Sequence, residues 1–162
     1  MHGPQPKTHP PAFTLAEIII VILVISIIAA AATVTFSSAA SHVQLNAAAD
    51  KLAADLALAR DHARLNRQTV DVYFDCETLL YQCPSVLNLT RSRNISVNLA
   101  RSPYDLSRLK VRELSEDESE EKYTLQFDAM GHASAPVAIT LVRSASIVRL
   151  LLYKDGRIER AD

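Results

Sequence analysis

The 162-residue sequence has only three glycines, two cysteines and no surplus of either charge, with 17 Lys and Arg against 18 Asp and Glu. Three scattered glycines supply no glycine-rich phosphate loop. Cys76 and Cys83 are too few for a disulfide scaffold, and six residues between them fit no common metal motif. A net charge of −1 provides no global field to gather nucleic acid or anionic lipid. The histidines at 2, 9, 42, 62 and 132 have no ligand spacing, and Ser, Asp and His residues form no nucleophile motif. The expectation is a protein that is not an enzyme and takes no cofactor. Helix breakers are scarce as well: neither proline nor glycine occurs between Phe13 and Cys83.

What the chain does have is one long apolar run. Of the 20 residues from Phe13 to Ala32, only Thr14, Glu17 and Ser26 are polar. At ~1.5 Å per residue such a helix spans ~30 Å, the thickness of a bilayer's hydrocarbon core. Nothing after Thr35 repeats the run, so the sequence implies one membrane segment followed by a soluble remainder. Glu17 is out of place in it, because a carboxylate in lipid costs roughly 2.5 kcal/mol or more.

Three readings of this front end differ in where the chain is cut. A secretory signal peptide would use Lys7 as its basic region, Ile18 to Ile28 as its apolar region and Ala29 to Ala32 for cleavage. Against it, Glu17 sits where a signal peptide is apolar, and Lys7 lies well before the boundary. A plain anchor explains the run's length but not Glu17. The third reading cuts before the run. Residues 1–12, MHGPQPKTHPPA, are polar and proline-rich and cannot join a helix.

That polar leader, followed by FTLAE and an uncharged run, resembles the type IV pilin and pseudopilin family. Phe13, Thr14, Leu15 and Glu17 carry the match. The resemblance implies that a prepilin peptidase cuts between Ala12 and Phe13 and methylates the new Phe13 amine. It also implies that Glu17 pairs with a Phe amine, its own or a neighbour's, and so sets subunit register. The family usually has Gly where Ala12 stands, and often Gly and Pro at the places of Ser26 and Val34.

Beyond the membrane the helix can continue to about Asn66. Leu45, Ala49, Leu52, Leu56, Ala59 and Ala63 form one stripe at spacings of four and three, which predicts a face packed on the chain's own core. Val43, Ala47, Ala54, Leu58 and Leu65 form a weaker second line for a neighbouring subunit. Arg60, Arg64 and Arg67 suit the negative end of the helix dipole.

From Thr69 the period changes to two. Strands are expected at Val70 to Asp75, Leu79 to Cys83, Asn94 to Leu99, Leu109 to Glu113, Tyr123 to Phe127, Val137 to Arg143 and Ile147 to Tyr153. The KDGR segment at 154–157 predicts a hairpin with a type I′ turn. The fold class expected is α+β: a pilin-like long N-terminal helix, transmembrane in its first half, packed on an antiparallel sheet. The boundaries are 1–12 leader, 13–35 membrane and polymerisation helix, 36–67 amphipathic helix, and 68–162 β-rich domain.

Two features of this half stay open. With Glu77 and Thr78 as a two-residue turn, Cys83 faces Val72 and no disulfide forms; with Thr78 to Tyr81 as the turn, Cys76 and Cys83 face each other. The acidic run Glu113 to Glu121 holds six carboxylates but lacks the turn glycine of a calcium loop, which favours a solvated loop.

Ala59, Arg60, Ala63, Asn66, Phe127, Gly131 and Gly156 extend the resemblance, toward H-type minor pseudopilins of type II secretion systems and FimT-like minor pilins. Implied with it are a single pass through a bacterial inner membrane and a periplasmic C-terminal domain. The implied partners are prepilin peptidase, other pilin or pseudopilin subunits and an inner-membrane assembly platform. Some minor pilins bind DNA through a Gly-Arg-x-Arg tail. Here Glu159 replaces the second Arg in GRIERAD, and an acid facing phosphate argues against DNA.

Overall fold

A computed structural model describes residues 14–88, 93–115 and 120–161, leaving aside the side chains of 31–39, 87, 88 and 93. The leader and the cleavage positions Ala12 and Phe13 lie outside the described residues. The chain divides into two compact units, Met1–Ser38 and Ala39–Asp162.

Helix α1 covers Leu15–Asn66, 52 residues without a proline or glycine to interrupt it. Its start is set by Thr14. The Glu17 amide approaches Thr14 Oγ1 at 3.3 Å, and the Thr14 amide approaches Glu17 Oε2 at 3.5 Å. This is a capping box, in which two otherwise orphaned amides are satisfied reciprocally. Within the apolar run the Ser26 hydroxyl donates to the Ile22 carbonyl at 2.7 Å, so the polar atom finds its partner on its own helix. Among the described residues no helix is long and apolar enough to cross a membrane.

At the other end the Gln68 amide donates to Ala63 and the Arg67 amide to Arg64, at 3.1 and 3.4 Å, while Arg67 has φ 50°. These bonds make a Schellman stop, with arginine at the left-handed position that glycine usually fills.

The predicted stripe is the helix's buried face. Leu45, Ala49, Leu52, Ala59 and Ala63 are fully buried and Leu56 is 1% exposed. The second line is largely exposed: Val43, Ala47, Ala54 and Leu65 face outward. Val43 and Leu65 are 67% and 84% exposed, while Leu58 is half-buried against the edge of the core.

The strands are β1 Val70–Asp75, β2 Leu80–Asn88, β3 Arg93–Asn98, β4 Arg108–Glu113, β5 Lys122–Phe127, β6 Val137–Arg143, β7 Ser146–Leu152 and β8 Ile158–Ala161. They make two antiparallel four-stranded sheets, in the orders β3-β2-β1-β5 and β4-β6-β7-β8, where the sequence suggested one. The chain crosses between sheets three times, because β4 joins the second sheet and β5 returns to the first. Period-two alternation predicts strands but is silent about which strands pair. Each sheet buries one face. Val70, Val72, Phe74, Leu125 and Phe127 of the first sheet join Leu109, Val111, Ile139, Leu141, Leu150 and Leu152 of the second, with the helix stripe, in one core.

Strand β2 is longer than expected because it passes through Pro84. The register against β3 shifts between Cys83 and Leu87, and this bulge accommodates a residue that has no amide to donate. At the β1–β2 turn, Asp75 pairs with Leu80 and Tyr73 with Gln82, the register of the Glu77–Thr78 turn. The disulfide left open by the sequence is therefore not made, and Cys76 and Cys83 are free thiols. Burial pushes the Cys83 thiol up to about 11 and raises that of Cys76.

Candidate functional site

Two glycine turns and the end of α1 form the most closely fitted part of the molecule. In the first, the Gly131 amide donates to the Asp128 carbonyl at 2.8 Å, and the Asp128 amide to the His132 carbonyl at 2.9 Å. In the second, Gly156 donates to Tyr153 and Tyr153 to Arg157, each at 2.9 Å. The glycines have φ 83° and 78°. Neither Lys154 nor Asp155 has positive φ. The turn is thus a three-residue loop closed by a left-handed glycine, not the type I′ turn suggested by KDGR.

The turns also touch each other. The Ala133 amide donates to the Lys154 carbonyl at 3.0 Å. A Cβ on Gly156 would sit 2.4 Å from the Gly131 carbonyl oxygen and 2.7 Å from Arg60 Cδ. A Cβ on Gly131 would sit 2.5 Å from Arg64 Cδ. Arg60 Nη1 donates to the Gly156 carbonyl at 3.0 Å, while its Nε donates to Asp61 at 3.1 Å. Arg60 is therefore a tertiary tie as well as a complement to the helix dipole. Of the loosely spaced residues singled out in the sequence, Ala59, Ala63 and Phe127 are buried and Arg60, Gly131 and Gly156 meet. Asn66 instead donates to the His62 carbonyl at 2.9 Å, within its own helix.

Beside these turns lies a cleft of about 510 Å³, lined by Gln126, Asp128, His132, Ala133, Ser134, Lys154 and Asp155. Asp128 accepts from the Met130 and His132 amides, both at 2.8 Å. The His132 amide is the main cause holding its carboxyl below the usual range. The Ser134 hydroxyl accepts from the Gln126 amide at 3.3 Å. These polar atoms serve the turn's own backbone. Among the described residues no group of three or more His, Cys, Asp or Glu is placed to hold a metal ion, and residues 116–119 of the acidic run lie outside them.

The C-terminal arginines are engaged within the chain. Arg157 stacks on Tyr153, 4.4 Å from the ring centroid, and pairs with Glu159. Arg160 reaches back to helix α1, at Asn46 and Asp50. The Glu159 that departs from the Gly-Arg-x-Arg pattern thus neutralises the preceding arginine.

A second cluster that sequence reasoning missed lies inside the core. Asp55 is 8% exposed on the buried face of α1. It accepts from the Tyr81 hydroxyl at 2.7 Å and pairs with Lys51 one turn earlier. Burial first, then the Asp55 charge, pushes the Tyr81 hydroxyl far up, so it remains a donor. An acidic residue inside an otherwise apolar stripe, four residues after a lysine, was the available signal. Glu17 had one too: Thr14-x-x-Glu17 ahead of an apolar run is the capping-box pattern.

No protein-family model matches the chain, and no curated protein matches it. Among solved structures it is similar to the type IV minor pilin FimU of Pseudomonas aeruginosa in two crystal forms. For the P21 form the TM-score is 0.52 at 18% identity, over 75% of this chain and 90% of that one. For the P65 form it is 0.49 at 18% identity, over 72% and 92%. The helix packed on antiparallel sheet is thus a pilin-like α+β fold, similar to that of a type IV minor pilin.

Proposed function

We propose that the protein is a minor structural subunit of a pilin-type fibre rather than an enzyme. The observation that carries this reading is the pilin fold behind a polar leader and the FTLAE-headed apolar run. In this reading the apolar helix holds the subunit in the bacterial inner membrane, with Ala39–Asp162 in the periplasm. Prepilin peptidase removes residues 1–12 and methylates Phe13, and the assembly platform draws the subunit in among other pilin-like subunits. Cleavage would give Glu17 a cationic neighbour in the Phe13 amine, offsetting the cost of a carboxylate in lipid. Its capping contacts with Thr14 support a helix that starts at the same place.

Two machines use such subunits. The internal motifs support an H-type minor pseudopilin of a type II secretion system. The likeness to FimU favours the second reading, a minor type IV pilin acting in pilus assembly. The ion-paired tail speaks against DNA uptake through that segment.

Intact-mass determination of the protein from its native membrane tests the core of the proposal. A chain starting at N-methylated Phe13 supports it, and one starting near Thr33 would mean a signal peptide and overturn it. Deletion of the gene followed by assays for surface pili and for secreted enzymes separates the two machines.

A further inference from the structure

Each sheet ends in two edge strands, and an edge with unpaired backbone groups can take up another strand. Three of the four described edges are blunted. On β5, the Ser134 amide donates to the Gln126 carbonyl at 2.8 Å, and Ala133 bridges Phe127. On β4, Glu120 bridges Val111, and Arg108 and Lys110 are exposed. Strand β8 is only four residues long and carries Glu159 and Arg160. Strand β3 differs. From Asn94 to Asn98 it holds neither a charge nor a proline, and among the described strands it pairs with β2 alone. The Leu99 amide donates to the Leu79 carbonyl at 2.8 Å, and the same register continues from Leu80 and Asn98 to Cys83 and Ile95. Hydrogen-bonded pairs alternate along an antiparallel ladder, so Val97 and Ile95 turn their backbone groups toward β2, and Asn98, Ser96 and Asn94 turn theirs away.

We propose that β3 pairs with β3 of a second copy of this chain, antiparallel, about a two-fold axis through Ser96. The sequence of the edge selects that partner. Asn94-Ile95-Ser96-Val97-Asn98 reads the same from either end in chemical kind: amide, β-branched aliphatic, hydroxyl, β-branched aliphatic, amide. An isologous contact sets a strand against its own reverse, so a strand matches itself at every position only when it is palindromic. With Ser96 on the axis, Ser96 meets Ser96 of the second copy and Asn94 meets Asn98. These are the residues whose backbone groups turn outward, so the ladder continues across the axis. The side chains match as well. Asn98 accepts from the Ala100 amide through Oδ1 at 2.9 Å, which leaves its Nδ2 to donate to Asn94 of the second copy. On the other face Ile95, which is buried, lies across from Val97, which is half-buried, as a β-branched pair. Each copy offers this edge once, so the pair closes at two. A fibre of like-oriented subunits contains no such two-fold pair, so the contact belongs to subunits outside a fibre. It rests neither on membrane insertion nor on N-terminal processing.

The test uses the full chain in non-ionic detergent. Sedimentation velocity should show a monomer passing to a dimer as concentration rises, with no larger species. Ser96→Lys sets two like charges against each other on the axis and should weaken the dimer roughly tenfold or more. Ser96 is exposed, so far-UV circular dichroism and the melting temperature of this variant should stay unchanged. Cross-linking gives a second readout. Hydrogen-bonded residues across an antiparallel pair have Cα atoms ~5.5 Å apart, within disulfide reach. In a Cys76→Ser background, Ser96→Cys should therefore form a covalent dimer under mild oxidation. Thr124→Cys, equally exposed but on the far edge strand β5, should not. A chain that stays monomeric, a Ser96→Lys variant that dimerises as the parent does, or cross-linking at Thr124→Cys equal to that at Ser96→Cys would each overturn the assignment.

Discussion

Arg60 on the helix donates to the carbonyl of Gly156 at 3.0 Å, across 96 residues of sequence. This one bond ties the helix end to the last hairpin, and the glycine permits it because any side chain there would strike backbone. Gly156→Ala should therefore cost more stability than Gly131→Ala. The first puts a Cβ 2.4 Å from a backbone oxygen, while the second meets side-chain carbons of Arg64 and Arg60. Strain at positive φ accounts for about 1–2 kcal/mol in either variant, and the backbone clash should take Gly156→Ala beyond that. Urea unfolding of the two variants checks the order.

Tyr81→Phe should destabilise by about 1–2 kcal/mol, and Asp55→Ala by more, because the second change leaves the buried phenol without its acceptor. The same pair sets an alkaline limit. In the unfolded chain a tyrosine ionises near ~10, whereas in the folded protein the Tyr81 hydroxyl is held protonated well above this. Above pH ~10 the unfolded state thus binds fewer protons, and stability should fall as pH rises. Melting temperatures between neutral pH and pH ~11 should show this fall, and Tyr81→Phe should reduce it.

Thiol titration should find two free cysteines in denaturant. In the native protein Cys83 should react far more slowly than a free thiol near neutral pH, since burial keeps it protonated and shielded. A single non-reactive, bridged pair would contradict the register of the β1–β2 turn.

Helix substitutions should sort by face. Leu56→Ala, at 1% exposure, should cost about 2–5 kcal/mol. Val43→Ser and Leu65→Ser, both largely exposed, should change stability by about 0.5 kcal/mol or less. If subunits pack on this line, the latter pair should lower incorporation into a fibre while the fold persists.

Arg67→Gly should raise stability by about 1 kcal/mol, because glycine removes the strain of a left-handed position that closes the helix. Chemical denaturation of this variant against the parent chain measures it.

Much of this protein is local and so was readable in the chain. The lack of proline and glycine between Phe13 and Pro84 permits one long helix, and the spacing of Leu45 through Ala63 selects its buried face. Alternation places the strands within a residue or two, apart from the extension of β2 past Pro84 and the short β8. These features depend on periods of a few residues, set by backbone geometry. Tertiary structure alone decided what depends on distant contacts. It divided the strands between two sheets and half-buried Leu58 against the core. It chose a register that leaves Cys76 and Cys83 apart, and brought Arg60 to Gly156 and Tyr81 to Asp55. Pairing partners and buried polar contacts are fixed by the packing of the whole core, which no short window of sequence contains.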